Sequence, residues 1–373
     1  MHNPFIIGIA KDKDFCNRGK ELKELKKYAI NGQNVVFYSP RRYGKSSLIQ
    51  KLLKQLKTEN FLTVYIDLFS ISSREDFISK LADGIMKGIG AGTNPRSFKD
   101  KLKNIFTHFI PSLEITPEGI NISVKFDKNT KLELLLEDVL KGMYNFISKK
   151  NLRACIALDE FQEIVQLKES KEIEATLRSY IQLYKNVSFL FVGSRRQILQ
   201  DIFTDKNRPF YKSAFLYQIE KISQADFTQY IITKFKNTGK ECSIDIAEKI
   251  WIQTDGYPYY VQKLSYLLWD LTEKTCNDNL LKQAYKKLIE IETTDFEGIW
   301  NGLTLGQKNL LKCFAQEPTS TPFSKDYMRK YNLSAGGIQK AMTILISKDL
   351  IEKTKDGIYK LVDPIMAKWL CMS

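Results

Sequence analysis

The chain has 373 residues, of which 43% are hydrophobic and 27% are charged, a balance typical of a folded protein and unlike that of a disordered chain. This length is too great for one ordinary core and predicts two or three domains. Lys and Arg number 57 against 43 Asp and Glu, which gives a formal net charge of +14 and favours a polyanionic partner such as nucleic acid, a nucleotide or an acidic membrane surface. The six scattered cysteines form no C-x-x-C pair and the two histidines are far apart, so neither a zinc site nor a disulfide framework is indicated.

The sequence gives no sign of a membrane or export segment. No run of about 18 apolar residues is present, and the N-terminus lacks the basic start and apolar stretch of a signal peptide. We therefore expect a cytoplasmic protein without a membrane partner.

The first 220 residues alternate short apolar runs with longer periodic stretches, a pattern typical of a parallel sheet covered by helices. Between the second and third strands, residues 111–126 alternate around Pro117-Glu118-Gly119, which predicts an inserted β-hairpin. The predicted sheet strands are Val35 to Tyr38, Leu62 to Leu68, Ala154 to Leu158, Val187 to Val192 and Leu216 to Ile219.

Helical periodicity replaces the strand pattern from about residue 224 to 295 and predicts a small helical domain. After Asp295, three helical segments precede a hairpin that turns at Asp356-Gly357, which is the order of a winged helix-turn-helix. We therefore predict a core at 1–223, a helical lid at 224–295 and a winged helix at 296–373.

Residues 39–47 read S-P-R-R-Y-G-K-S-S between a predicted strand and a helical run. In the phosphate loop G-x-x-x-x-G-K-[ST], the second glycine permits close backbone approach, the lysine contacts the β- and γ-phosphates and the hydroxyl binds Mg²⁺. Gly44, Lys45 and Ser46 fill these three positions, whereas Ser39 replaces the first glycine. The residues predicted to bind ATP here are Ser39, Pro40, Arg41, Arg42, Tyr43, Gly44, Lys45, Ser46 and Ser47.

A second motif is an apolar run from Arg153 that ends in Asp159-Glu160. An NTPase needs an acidic residue at the end of a second buried strand to support the metal ion. We predict that Asp159, with Ser46, holds Mg²⁺ and that Glu160 orients or deprotonates the attacking water. The alternative is a strand that ends by chance at an acidic turn.

A third motif is F-L-F-V-G-S-R-R, at residues 189–196. A cationic residue at the carboxyl end of the strand beside the metal-binding strand can contact the γ-phosphate. Arg195 is the first choice and Arg196 the second, and the alternative is a solvated arginine. The predicted catalytic residues are therefore Glu160, Lys45 and Arg195.

The segments S-P-R-R-Y-G-K-S-S-L, A-L-D-E-F-Q, F-V-G-S-R-R and T-D-G-Y-P-Y-Y-V-Q together resemble the prokaryotic ATPases of the AAA+/STAND group, often called archaeal-type ATPases. The resemblance extends from about Phe15 to the end of the chain. It implies an α/β P-loop ATPase core with a parallel sheet, a helical lid and a winged helix. The family normally has glycine where this sequence has Ser39.

The resemblance also implies that the lid segment Gly256-Tyr257-Pro258 packs against the nucleotide, with Pro258 as the contact. Taken without the family, this segment is only a turn before a helix whose first residue is proline. An arginine finger acting in trans would be Arg208 or Arg178, although STAND members often lack one.

The predicted recognition helix of the winged helix begins after Ser334, a residue type that caps helices. Its outward face and the hairpin tip are polar and mildly basic, so they could meet DNA bases and phosphates. The predicted DNA contacts are Gln339, Lys340, Thr343, Lys353 and Lys355. A protein partner is the alternative, since Trp369-Leu370 suits packing against the lid.

These observations predict an ATP-dependent switch that hydrolyses ATP slowly and passes its nucleotide state to the winged helix. Two alternatives remain open at this point. One is a DNA-binding regulator whose nucleotide site is only structural, and the other is an oligomeric scaffold in defence or signalling whose assembly is gated by ATP. The expected ligands and partners are ATP or ADP, Mg²⁺, duplex DNA, and a partner protein or further copies of the chain.

Overall fold

The computed structural model describes residues 2–9, 14–90, 105–116, 119–126 and 130–372. The chain divides into two compact units. The sheet unit comprises Gly19–Ser39 and Lys45–Ile219, and the helical unit comprises Met1–Arg18, Pro40–Gly44 and Glu220–Ser373.

The strands of the sheet unit are β1 Val35–Tyr38, β2 Phe61–Asp67, β3 Phe109–Thr116, β4 Gly119–Phe126, β5 Arg153–Asp159, β6 Val187–Gly193 and β7 Phe215–Gln218. A five-stranded parallel sheet forms the centre of this unit, with strand order β2-β5-β6-β1-β7. The strands β1, β5 and β6 are apolar and buried along almost their whole length, as expected for a sheet covered on both faces. The predicted α/β core with a parallel sheet is therefore confirmed.

The strands β3 and β4 pair in antiparallel register from Phe109 opposite Phe126 to Thr116 opposite Gly119. This pairing confirms the predicted hairpin, although Pro117 and Glu118 of its turn lie outside the described residues.

Helices flank the sheet, and several of them bury their apolar faces in one hydrophobic core against a single face of β2, β5 and β6. A 3₁₀ turn, Phe161–Gln166, directly follows β5. The helices of the sheet unit are α1 Gly19–Ile30, α2 Lys45–Lys57, α3 Arg74–Gly90, α4 Leu132–Lys149, α5 Ser170–Leu183 and α6 Arg196–Thr204.

The helical unit contains the predicted lid and winged-helix segments. Serine or asparagine side chains cap several of its helices by accepting a backbone N–H, as Ser243 and Asn277 do, and this fixes where these helices begin. Its helices are α7 Gln224–Lys236, α8 Ile244–Gln253, α9 Pro258–Leu271, α10 Asp278–Asn301, α11 Leu305–Gln316, α12 Lys325–Lys330, α13 Ala335–Ser347 and α14 Pro364–Met372.

The winged-helix segment consists of α11, α12 and α13 followed by the hairpin β8 Ile351–Lys353 and β9 Tyr359–Leu361. The hairpin turns through Gly357, whose φ is 82°, and Ser334 caps α13 by accepting the Gly337 N–H at 3.2 Å. The predicted winged helix is therefore confirmed. Helix α10 continues through residue 296 to Asn301, and the division into three domains at 223 and 295 stays a prediction.

Within the described part of the chain, none of the helices combines the length and the apolar character that crossing a bilayer requires.

Candidate functional site

The helix α2 begins at Lys45, directly after the loop that follows β1. The Lys45 side chain is buried, and its Nζ donates to the backbone carbonyl of Ser39 at 3.0 Å. Ser39 is fully buried. The contact uses a backbone group that glycine also has, so the serine at this position leaves the anchoring of Lys45 intact.

Two residues of the loop have left-handed backbone conformations. Gly44 has φ of 85° and Arg42 has φ of 62°. A Cβ on Gly44 would meet no atom within 4 Å, so the conformation, not the space, favours glycine there. The turn directs the backbone into the N-terminus of α2, the arrangement that binds phosphate groups.

Asp159, the last residue of β5, contacts the N-terminal turn of α2. Its Oδ2 accepts a hydrogen bond from the Ser46 hydroxyl at 2.8 Å and another from the Tyr65 hydroxyl, and its Oδ1 accepts the Glu160 N–H at 3.0 Å. Burial and the Asp159 carboxylate raise the pKa of Tyr65, so this hydroxyl stays protonated and donates. Asp159 is therefore fixed beside Ser46 by groups on three separate segments.

The pair of Ser46 and Asp159 fits a magnesium ion. A hydroxyl and a carboxylate oxygen are hard oxygen donors, which Mg²⁺ prefers, and Mg²⁺ commonly takes one or two protein ligands beside phosphate and water. In the part of the chain that the structure describes, no cluster of three or more His, Cys, Asp or Glu side chains could hold a metal. The donor set suits a cation that arrives with a nucleotide.

Glu160 also has a left-handed backbone, with φ of 52°, a conformation that is costly for a residue with a side chain and that is concentrated at functional sites. Its carboxylate accepts hydrogen bonds from the Ser194 hydroxyl at 2.9 Å and from the Gln162 amide. Ser194 follows Gly193, where a Cβ would lie 2.0 Å from the Gln162 Oε1. The end of β6 and the turn after β5 thus hold the Glu160 carboxylate from two sides.

Arg195 lies between β6 and α6, and β6 lies between β1 and β5 in the sheet. Its Nη1 is 3.6 Å from the Glu163 Oε1, and the side chain is partly exposed. In this structure the guanidinium therefore pairs with a residue of the 3₁₀ turn.

Both candidate arginine fingers make contacts inside the sheet unit. Arg208 donates through Nε to the fully buried Glu174 at 3.2 Å, and its Nη2 contacts the same carboxylate. Arg178 donates to the Pro209 carbonyl.

In the helical unit, the loop tip contacts the turn before α9. The Tyr257 hydroxyl donates to the Arg41 carbonyl at 2.6 Å, and the Tyr43 and Tyr257 rings meet edge to face at 4.8 Å. Burial, with Asp363 next in importance, raises the pKa of Tyr257 well above its ordinary value, which keeps this hydroxyl a donor. Pro258 is the first residue of α9, and its contact with a nucleotide stays a prediction.

Comparison with known proteins identifies the family. A profile described as an ATPase domain predominantly from Archaea matches residues 15–264, more than half of the chain. The chain belongs to this family of archaeal ATPases. A second profile, described as a probable winged helix domain, matches residues 294–372. The resemblance seen in the sequence is thereby confirmed.

This archaeal-type ATPase is 25% identical over 154 residues to an uncharacterised ATP-binding protein of Methanocaldococcus jannaschii. The match covers 40% of this chain and 41% of that protein, so it spans less than half the length of the curated relative. Among solved structures, the Walker-type ATPase of Pyrococcus abyssi has a TM-score of 0.70 at 16% identity, with 97% of each chain covered. The ORC2 protein of Aeropyrum pernix, solved in ADPNP and ADP complexes, has a TM-score of 0.56 at 12% identity, again with 97% of each chain covered. At such identities the likeness shows the fold alone.

The winged helix of this archaeal-type ATPase presents its predicted contact residues on two elements. Gln339, Lys340 and Thr343 are exposed on α13. Lys353 is exposed at the end of β8, whereas the Lys355 ammonium lies 2.7 Å from the Glu220 carboxylate within the same unit.

Several residues that contact the predicted site residues were not themselves predicted from the sequence. Ser194 lies in the third motif beside the predicted Arg195, and Gln162 follows Glu160 by two positions, so the sequence around both residues carried a local signal. Tyr65 had none, because only the pairing of β2 with β5 brings it towards Asp159. Tyr257, next to the predicted Pro258, contacts the loop by donating to the Arg41 carbonyl.

Proposed function

We propose that this archaeal-type ATPase binds Mg²⁺ and ATP through residues 39–47 and slowly hydrolyses the ATP to ADP and phosphate. The 2.8 Å hydrogen bond between Ser46 and Asp159 carries the proposal. It joins the first residues of the helix that follows the phosphate loop to the acidic end of a second buried strand. Two residues that lie 113 positions apart, and that we propose as the Mg²⁺ ligands, are thus in direct contact.

The proposed roles follow from the chemistry of each side chain. The backbone N–H groups of the loop and the Lys45 ammonium hold the phosphates, while Ser46 and Asp159 hold Mg²⁺. When bound, Mg²⁺ neutralises charge that develops on the phosphate oxygens. Glu160 accepts a proton from the attacking water, and Ser194 with Gln162 sets the direction of its carboxylate.

We propose slow turnover because the groups that hydrolysis requires are engaged elsewhere. Ser194 and Gln162 occupy lone pairs of Glu160, and Glu163 engages Arg195. For Arg195 to contact a γ-phosphate, it must first leave Glu163. A nucleotide-controlled switch with long-lived states is consistent with such an arrangement.

Substitutions of Lys45 and Glu160 test the two parts of the proposal. We expect Lys45→Ala to weaken ATP binding by at least about 100-fold, since an ammonium–phosphate contact is lost. We expect Glu160→Gln to retain binding and to lower the hydrolysis rate by about 100- to 10,000-fold, the usual contribution of a general base. Calorimetric titration of ATP with Mg²⁺ and a phosphate-release assay measure the two effects.

Thermal unfolding without nucleotide is the control, and both variants should melt as the parent does. Unaltered ATP affinity in a folded Lys45→Ala protein would refute the nucleotide site. If Glu160→Gln hydrolyses ATP as fast as the parent, the proposal of ATP binding stands, but the general base is a residue other than Glu160.

We further propose duplex DNA as the partner of the winged helix. The exposed polar face of α13 and the exposed Lys353 of the wing support this, together with the net charge of +14. A protein partner is the competing proposal, and the two are separated by the salt dependence of binding.

A further inference from the structure

A cluster of charged and aromatic residues in the helical unit holds the tip of the phosphate loop. Its centre is Glu292 on α10, whose side chain is only 2% exposed. The Glu292 carboxylate accepts hydrogen bonds from the Tyr259 hydroxyl at 3.1 Å, the Arg42 Nη1 at 3.4 Å and the Lys263 ammonium. We call Arg42, Tyr259, Lys263, Glu292 and Asp295 the loop tether.

Arg42 is the loop residue of this tether. Its guanidinium carbon lies 4.2 Å from the centre of the Tyr259 ring, and its Nη2 lies 3.8 Å from the Asp295 carboxylate. Stacking of a guanidinium on an aromatic ring and pairing with a carboxylate both stabilise the side-chain position. The Arg42 side chain is engaged with α9 and α10 on one side while it remains 46% exposed.

The backbone conformation of Arg42 is a second sign that its side-chain contacts matter. Arg42 has φ of 62°, a left-handed conformation that is unfavourable for a non-glycine residue. Glycine would adopt it without that cost. The contacts that the Arg42 side chain makes in the loop tether offset this unfavourable backbone conformation.

The neighbouring loop residues are held in the same way. The Arg41 carbonyl accepts the Tyr257 hydroxyl, and the Tyr43 ring packs against Tyr257. Three consecutive residues of the loop tip are thus fixed by side chains of α9, α10 and the turn between α8 and α9. The loop conformation depends on residues that lie more than 200 positions later in the chain.

We propose that Glu292 is a positioning residue for nucleotide binding, acting through Arg42 and supported by Tyr259. It holds residues 40–44 in the conformation whose backbone N–H groups receive phosphate. This inference rests on the ATP binding proposed above. It assigns Arg42 to positioning, in place of the direct nucleotide contact expected from the sequence.

The physical basis is preorganisation. A loop that must adopt one conformation to bind loses apparent affinity in proportion to the time it spends in others. The tether suppresses those other conformations. Loss of one charge-assisted hydrogen bond from the tether should therefore weaken ATP binding by about tenfold.

The Arg42 side chain can be replaced without leaving the buried Glu292 carboxylate unpaired. When Arg42 is replaced, the Glu292 carboxylate keeps the Lys263 ammonium and the Tyr259 hydroxyl. Arg42→Gln should therefore fold and melt close to the parent. Glu292→Gln is more severe, because it leaves Lys263 without its carboxylate.

The experiment measures the ATP affinity of the full chain by calorimetry in the presence of Mg²⁺. Arg42→Gln and Glu292→Gln should each weaken binding by about tenfold, and the double variant should be no weaker than the poorer single variant. The matched control is Glu297→Gln, which makes the same change at an exposed position five residues along α10 and should bind as the parent does.

A second variant keeps the test decisive if Glu292→Gln does not fold. Tyr259→Leu removes the ring beneath the guanidinium at a partly exposed position outside the phosphate loop. It should also weaken ATP binding. If Arg42 instead contacts phosphate directly, Arg42→Gln alone loses affinity, the variants on α9 and α10 bind normally, and the proposal is overturned.

Failure of this inference differs from failure of the proposed function. If the parent binds ATP and Lys45→Ala does not, while Glu292→Gln and Tyr259→Leu bind normally, only the positioning role is wrong. If the parent itself binds no ATP, the proposed function is wrong and the positioning role falls with it.

Discussion

At the scale of single residues, Arg208 is a candidate catalytic arginine that pairs with a buried carboxylate in the structure. From the sequence it is a loop arginine after the third motif, a suitable position for a finger that acts on a neighbouring molecule. In the structure it donates to Glu174, which is fully buried on α5. A buried carboxylate needs such a partner, because an unpaired buried charge is costly.

We expect Arg208→Met to lower the free energy of unfolding by about 3–5 kcal/mol at pH 7, the usual result of breaking a buried ion pair from one side. Thermal or urea unfolding measures this. The control is Lys206→Met at an exposed position of the same loop. If Arg208→Met melts as the parent does but loses ATPase activity, Arg208 acts on a neighbouring molecule and not on Glu174.

The same variant has a pH dependence of known sign. Burial raises the pKa of Glu174 above its ordinary value of 4.5, and Arg208 opposes this rise. A carboxyl whose pKa is higher in the folded state favours folding once it is protonated, so its destabilising effect fades as pH falls. Without Arg208 the pKa rises further. We therefore expect the difference in stability between Arg208→Met and the parent to narrow between pH 7 and pH 5, and a constant or widening difference would contradict this explanation.

At the scale of whole elements, glycine inside a helix has opposite meanings in α4 and α10. Gly142 lies in the middle of α4, where a Cβ would come within 2.7 Å of the Ile105 carbonyl and 2.6 Å of the Phe106 ring. Gly298, in the last part of α10, is exposed and has no atom within 4 Å of a Cβ. Close packing requires the first glycine, whereas the second only lowers helix propensity.

Alanine at these two positions should therefore change stability in opposite directions. We expect Gly142→Ala to destabilise the protein by about 1–3 kcal/mol through overpacking and Gly298→Ala to stabilise it by about 0.5–1 kcal/mol through propensity. Urea unfolding of the two variants measures both effects. Stabilisation by Gly142→Ala would mean that Phe106 moves aside at little cost.

At the scale of the whole molecule, the net charge of +14 favours binding to a polyanion but does not indicate which polyanion is bound. The helix α14, which follows the winged-helix segment, packs on α10, since Trp369 lies 5.7 Å from Phe296 and 6.3 Å from Trp300, ring centre to ring centre. The tether residue Glu292 lies one helical turn before Phe296. Within the helical unit, the loop tip and the helix that follows the winged-helix segment thus both contact α10, which is consistent with the proposed switch.

If DNA is the partner, Lys340→Glu and Lys353→Glu should each weaken binding to a duplex and reduce the slope of log affinity against log salt by about one. Fluorescence anisotropy at several salt concentrations, with and without ATP, measures this. Lys286→Glu on α10 is the matched control, because it makes the same change in net charge at an exposed position outside the winged helix. Equal effects of all three variants would indicate only non-specific attraction, and no binding at low salt would favour a protein partner.

The sequence by itself determined the elements and the two nucleotide motifs. Runs such as Val187 to Val192 show buried strands, and Ser334 with the periodicity after it shows the start of α13, because strand burial and helix capping are set by residues close together in the chain. The phosphate loop and Asp159-Glu160 were visible for the same reason. In each of these two motifs, the residues with the predicted chemical roles are neighbours in the sequence.

Only the tertiary structure decided which charged side chains find partners. Glu292 looked like any helical glutamate and Arg42 like a phosphate ligand, yet they meet across 250 positions of sequence. Tyr65 reaches Asp159 only through the register of β2 on β5. Such pairings depend on packing and register between distant elements, which local periodicity does not specify.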